Sequence, residues 1–147
     1  MWRRTRPDPA AEAAWAGFLG FARALDEGSR ALLATVPSAR RPGAPLEAGV
    51  AGFLAGLEAA RAELGAWDHP ALAGARAATA AALDAAEGRA RDLPAAMKGL
   101  EFEHRNERVA EVLDELLPVQ AAERAVRALR RRGYPARAGG RQTRQGR

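Results

Sequence analysis

The sequence contains no cysteine, which excludes disulfide bonds, thiolate metal ligands and a cysteine nucleophile. It also has no isoleucine and only two serines. No Gly-x-Ser-x-Gly elbow, Walker loop or dinucleotide fingerprint occurs, so none of these motifs supports an enzyme. We therefore expect a non-enzymatic protein that uses no cofactor.

Long apolar runs are absent as well. The longest uncharged apolar stretch, residues 13–22, is about half as long as a membrane span requires. Pro7, Asp8 and Pro9 stand where the apolar core of a signal peptide would follow the first arginines. We expect no transmembrane segment and a cytoplasmic location. Alanine, glycine, arginine and proline together fill 84 of the 147 positions, a bias that indicates a bacterial protein from a GC-rich genome.

The composition favours helices throughout. Alanine, the best helix former, occupies 38 positions, whereas β-branched residues are scarce. A chain of 147 residues makes about one domain. Prolines mark helix starts, and Pro118 either kinks the last helix or begins a fifth segment, with Gly133 as its C-cap. The predicted helices cover residues 9–35, 45–67, 70–92, 95–117 and onward to 132.

Apolar residues in the first three predicted helices recur at alternating steps of three and four. In the first helix the series runs through Trp15, Phe18 and Leu25, and in the second through Phe53 and Trp67. Such stripes suit the shallow crossings of an antiparallel four-helix bundle. We therefore predict an all-α fold with a basic arm at residues 1–8, a bundle at 9–133 and a disordered Arg-rich tail at 134–147.

A line of glycines runs beside the apolar stripe of the second predicted helix. It consists of Gly49, Gly52 and Gly56, and each interior glycine costs about 1 kcal/mol relative to alanine. One interpretation is a close contact with another helix or another subunit, which small residues permit. The other is genomic drift towards glycine, and the sequence favours neither.

The window 101–108 is unusually polar for a bundle helix. Within it, Glu101 and His104 form a Glu-x-x-His pair that resembles the metal-binding element of ferritin-like di-iron proteins. At 100° per residue, however, His104 lies roughly 135° and Glu101 roughly 75° from the apolar direction that Phe102 and Val109 help to define. The favoured interpretation is a solvated face with Glu101–Arg105 and Arg108–Glu111 pairs. A metal-binding or small-molecule-binding bundle centred on Glu101 and His104 is the alternative.

Charge is divided unevenly along the chain. Residues 7–123 carry a net charge of −7, whereas residues 124–147 hold nine arginines and no acid. Arg124, Arg127 and Arg131 share one helical face, and Tyr134 is the sole aromatic in the segment. The predicted polyanion-binding residues are Arg124, Arg127, Arg130, Arg131, Arg132, Arg137, Arg141 and Arg144.

From this segment we predict an interaction or scaffold protein that self-associates or binds a protein partner, and whose arginines contact nucleic acid without sequence preference. Three other interpretations stay open: the tail only keeps the protein soluble, has no partner, or folds back on the acidic residues between Glu103 and Glu115. A further alternative is a lipid- or granule-surface protein that opens its helices onto an interface.

Overall fold

The computed structural model describes residues 8–132, and every regular element within that range is helical. Two short 3-10 turns, Leu64–Ala66 and Pro70–Leu72, form the corner between the second and third helices. The α-helices are α1 (Pro9–Leu33), α2 (Leu46–Glu63), α3 (Ala73–Ala96), α4 (Phe102–Asp114) and α5 (Val119–Arg132).

Helices α1, α2 and α3 and the α4–α5 pair form the four arms of the bundle, and the all-α prediction is confirmed. The last arm is split at Pro118, one of the two forms that the sequence allowed. The predicted basic arm before Asp8, the Gly133 cap and the disordered tail lie outside the described residues.

Two helix starts follow directly from local sequence chemistry. The Asp8 carboxylate accepts a hydrogen bond of 3.0 Å from the Ala10 amide and so caps α1 ahead of Pro9. At the corner before α3, the His69 ring accepts a bond of 3.0 Å from the Ala71 amide through Nδ1. Both positions are predicted by the Asp-Pro and His-Pro steps in the sequence.

The boundary between α3 and α4 differs from the prediction. We expected the third helix to end at Asp92 because Pro94 follows, but α3 continues through Pro94 to Ala96. Proline fits here because its fixed φ is helical and the Met97 amide still bonds the Leu93 carbonyl at 3.0 Å. The chain turns at Gly99, whose φ of 73° is left-handed, and α4 begins only at Phe102 rather than at residue 95.

The core contains most of the predicted apolar stripes, together with Phe21, which lies outside them. Trp67, Phe21 and Phe53 are among the largest fully buried side chains. The Phe21 and Trp67 rings meet edge to face with centroids 5.1 Å apart, a favourable aromatic geometry. Phe102 is one exception: its position on α4 predicts a core residue, but its side chain is 52% exposed.

The glycine line lies in the interface between α1 and α2. A Cβ atom built at Gly56 would stand 2.7 Å from the Gly28 Cα, and one at Gly52 would stand 2.7 Å from the Ala31 Cβ. At Gly49 the nearest backbone atom would be the Ala31 carbonyl oxygen at 2.9 Å. Of the two interpretations of this line, the structure supports the close helix contact, and it places that contact within one chain.

Arginine–carboxylate ion pairs connect neighbouring helices on the surface of the bundle. Arg61 on α2 bonds Asp84 at 2.8 Å and Glu87 at 3.0 Å on α3, and Arg91 reaches Glu87 at 3.0 Å. The hydrogen bond from Arg61 is the main cause that lowers the pKa of Glu87, followed by the bond from Arg91. The same pairing raises the pKa of Arg61.

These pairs predict a pH-dependent contribution to stability. Because the folded pKa of Glu87 lies below the ordinary value of about 4.3, its contribution is present above about pH 4.3 and is lost as the pH falls through the lowered pKa. Glu87→Gln is therefore expected to lower the urea midpoint of unfolding at neutral pH. Below about pH 4.3 the midpoints of the variant and the wild type are expected to converge. Glu58→Gln on α2, exposed and without an ion pair in residues 8–132, is the control. A Glu87→Gln deficit that stays constant with pH would contradict the prediction.

Candidate functional site

The C-terminal half of α5 lies against the start of α1 at one end of the bundle. The guanidinium carbons of Arg127 and Arg130 stand 5.1 Å and 5.0 Å from the centroid of the Trp15 ring. Arg130 Nε also lies 3.4 Å from the Glu12 carboxylate. A small open cavity of about 120 Å³ lies here, and it is lined by Trp15, Arg127, Arg130 and Arg131. We call Trp15, Arg127, Arg130 and Arg131 the arginine pole.

The amphipathic pattern of α5 explains why its arginines face outwards. Ala122, Val126 and Leu129 are buried on one side of the helix and fix its rotation against α1 and α3. Arg124, Arg127 and Arg131 are exposed on the other side, as the helical spacing predicts. The local sequence thus places a cationic face at this end of the bundle. Whether that face binds a polyanion stays a prediction.

Few acids neutralise this face. Helix α5 contains five arginines and one acid, Glu123, which pairs with Arg127 at 2.8 Å. Within residues 8–132, Arg124, Arg131 and Arg132 form no ion pair. These three guanidinium groups can therefore bind an external anion without breaking an existing ion pair.

Both ends of the described chain lie at the arginine pole. Asp8 caps α1 one turn before Glu12, and Arg132 ends α5 two residues after Arg130. The segment with Arg3, Arg4 and Arg6 and the segment with Arg137, Arg141 and Arg144 therefore join the bundle at the same end. These six arginines themselves lie outside the described residues.

Trp15 is the residue that sequence reasoning missed at this site. Its place in the apolar stripe of the first helix predicts a core residue, and Tyr134 appears as the sole aromatic near the arginines. In the structure the Trp15 ring is half-buried and stacks on Phe18 with ring centroids 6.0 Å apart. The guanidinium groups of Arg127 and Arg130 lie over its face. The two cation–π contacts hold α5 to α1, and the Trp15 ring supplies an aromatic surface beside the cations.

Glu101 and His104 are brought to the surface at the opposite end. Glu101 precedes the first residue of α4 with extended backbone angles, and the predicted Glu101–Arg105 ion pair is not formed within residues 8–132. The His104 ring nitrogen Nδ1 lies 3.5 Å from Glu107, and both side chains are exposed. The predicted Arg108–Glu111 pair is present at 3.0 Å. Residues 8–132 contain no cluster of three or more side chains arranged to hold a metal ion.

The chain matches no protein-family model, no curated protein and no solved structure. Across residues 8–132, no helix combines the length and the apolar character needed to cross a membrane.

Proposed function

We propose that this protein is a non-enzymatic interaction protein whose arginine pole binds nucleic acid as a polyanion, without sequence preference. The observation that carries the proposal is the convergence of Arg127, Arg130 and Arg131 around Trp15. Both Arg-bearing terminal segments join the bundle at the same end.

Arginine suits this role because its planar guanidinium donates two parallel hydrogen bonds to phosphate oxygens. Phosphate contacts hold a nucleic acid in place but carry no sequence information. Each phosphate that an arginine neutralises releases counterions and steepens the log–log salt dependence of the binding constant by about −0.9 on duplex DNA. Binding at the pole is therefore expected to weaken steeply with salt and to vary little with base sequence.

The competing interpretation, in which the tail folds back on the acids of α4, has less support. Glu107 lies beside His104, while Glu111 pairs with Arg108, and Glu115 pairs with Arg89. Two of the carboxylates that the tail would meet, Glu111 and Glu115, are thus already paired with arginines of the bundle. An external polyanion offers the pole a denser array of free anions.

The test compares two variants with the same change in net charge. One replaces Arg127, Arg130 and Arg131 with glutamine, and the other replaces three exposed arginines outside the pole, Arg23, Arg40 and Arg41. Fluorescence anisotropy would measure the binding of full-length protein to labelled duplexes of unrelated sequence at about 50 and 200 mM salt.

The pole variant is expected to bind at least about tenfold more weakly and to have a salt slope that is shallower by about 2–3, because up to three phosphate contacts are lost. The variant at Arg23, Arg40 and Arg41 is expected to change affinity by less than about threefold. Equal losses in the two variants would mean that net charge alone, and not the pole, binds the duplex. Negligible binding by the wild type would end the proposal.

A further inference from the structure

A second cavity lies at the end of the bundle opposite the arginine pole. It occupies about 300 Å³ between the α1–α2 loop and the first two turns of α4, which is the lower end of the range for small-molecule sites. About half of its wall is apolar, and this part includes Val36, Leu46, Met97 and Val109. We call this cavity the loop pocket.

Phe102 shows that the loop pocket interrupts the core packing. Its ring belongs to the same face of α4 as the buried residue Val109, yet it is 52% exposed and lines the pocket. Burying an aromatic ring is favourable, and here about half of the ring is left in contact with solvent. An apolar ligand in the pocket would cover part of this ring.

Arg105 and Asn106 supply the polar part of the wall. They follow Phe102 by one helical turn and therefore lie on the same side of α4. Arg105 forms no ion pair within residues 8–132. An unpaired guanidinium beside an apolar cavity is complementary to a ligand that joins a carboxylate to an apolar body.

The loop wall is held in place before any ligand arrives. Ser38 and Arg41 exchange backbone hydrogen bonds of 2.9 Å and 3.3 Å, and the Ala44 amide bonds the Ala34 carbonyl at 2.8 Å. A Cβ atom at Gly43 would stand only 2.3 Å from the Thr35 carbonyl oxygen, so the loop lies directly on the end of α1. Little ordering of this wall is needed on binding, which favours affinity.

We infer that the loop pocket binds a small amphiphilic carboxylate, with its apolar chain against Phe102, Met97 and Val109 and its carboxylate on Arg105. The volume corresponds to about ten water molecules at about 30 Å³ each, which suits a medium-length chain. The Asn106 amide offers a second donor beside the guanidinium. This site is separate from the arginine pole and does not depend on its function.

Octanoate is the probe that tests the pocket. Isothermal titration calorimetry on full-length protein is expected to show saturable binding with a Kd below about 1 mM. Arg105→Gln should weaken octanoate binding about tenfold, because a charge-assisted hydrogen bond is lost, and should leave octanol binding unchanged. Phe102→Ala should weaken both ligands about fivefold. Arg108→Gln, three residues along α4 and outside the loop pocket, is the matched control and should change neither affinity.

Three outcomes would overturn the inference: no saturable octanoate binding, equal octanoate affinity in the wild type and Arg105→Gln, or binding only to phosphatidylglycerol vesicles. The last would assign the face to a lipid surface instead of a free carboxylate. Arg105 and Phe102 are both exposed, so neither substitution removes a buried contact. Circular dichroism would verify that each variant is folded. Since none of these substitutions touches the arginine pole, nucleic-acid binding and octanoate binding fail or succeed independently.

Discussion

Replacing Trp67 with alanine is expected to lower the free energy of unfolding by about 3–5 kcal/mol, the largest effect of any substitution considered for this chain. The side chain is 1% exposed, and its ring meets Phe21 at 5.1 Å and Phe18 at 5.8 Å. It also stands at the corner between α2 and α3. Alanine would leave a cavity where α1 and this corner meet.

Urea unfolding followed by far-UV circular dichroism would measure this loss. Trp67→Phe keeps an aromatic ring and removes an indole N–H that has no hydrogen-bond partner among residues 8–132, so we expect it to cost less than about 2 kcal/mol. Leu19→Ala, at a site that is 51% exposed, is the surface control and should cost about 0.5 kcal/mol. A Trp67→Ala loss no larger than that of Leu19→Ala would contradict the packing described here.

Trp67 also shows how far the sequence predicts this fold. The spacing of three and four that ends at Trp67 correctly identifies it as a core residue. The same pattern, however, predicts a helix to residue 67, whereas α2 ends at Glu63 and a 3-10 turn follows. Apolar periodicity reports which face is buried, and a 3-10 turn of three residues rotates that face by only about 60° relative to an α-helix, so Trp67 stays on the core side. Burial was therefore predictable here, and the exact helix type was not.

The boundary near Pro94 was wrong for a different reason. The residue before a proline is disfavoured in the α region, and this rule alone predicts a stop at Asp92. Pro94 has no amide hydrogen and leaves the Ala90 carbonyl without its helical donor, yet α3 continues past it for two residues, to Ala96. Gly99, with its left-handed φ, makes the turn that follows. Choosing between two neighbouring stop signals requires the tertiary contacts of α3.

The candidate sites likewise contain some features that the sequence predicts and others that only the packing of the helices reveals. The outward face with Arg124, Arg127 and Arg131 follows from the period of one helix, so the sequence predicts it. Trp15 joins that face only because α1 and α5 pack together from opposite ends of the chain, and no local pattern reports this. The loop pocket is a gap between elements, and its one trace in the sequence is an aromatic residue on α4 that the structure leaves half exposed.

Gly56→Ala is expected to destabilise the protein by about 1–3 kcal/mol, although alanine is the better helix former. Its Cβ atom would stand 2.7 Å from the Gly28 Cα and 2.8 Å from the Ala24 carbonyl oxygen. These are backbone atoms of α1, which cannot rotate away as the end of a side chain can. The two helices must move apart, and the contacts along their interface loosen.

Gly88→Ala on α3 separates this steric effect from helix propensity. Gly88 also lies inside a helix, but apart from the backbone of α3 itself no atom of residues 8–132 stands within 4 Å of the position where its Cβ would be. There the same substitution should stabilise the protein by about 0.5–1 kcal/mol, because glycine costs more backbone entropy than alanine. Thermal and urea unfolding of the two variants should therefore shift in opposite directions. A stabilising Gly56→Ala would mean that the α1–α2 interface is looser than its glycines indicate, and that composition alone put glycine there.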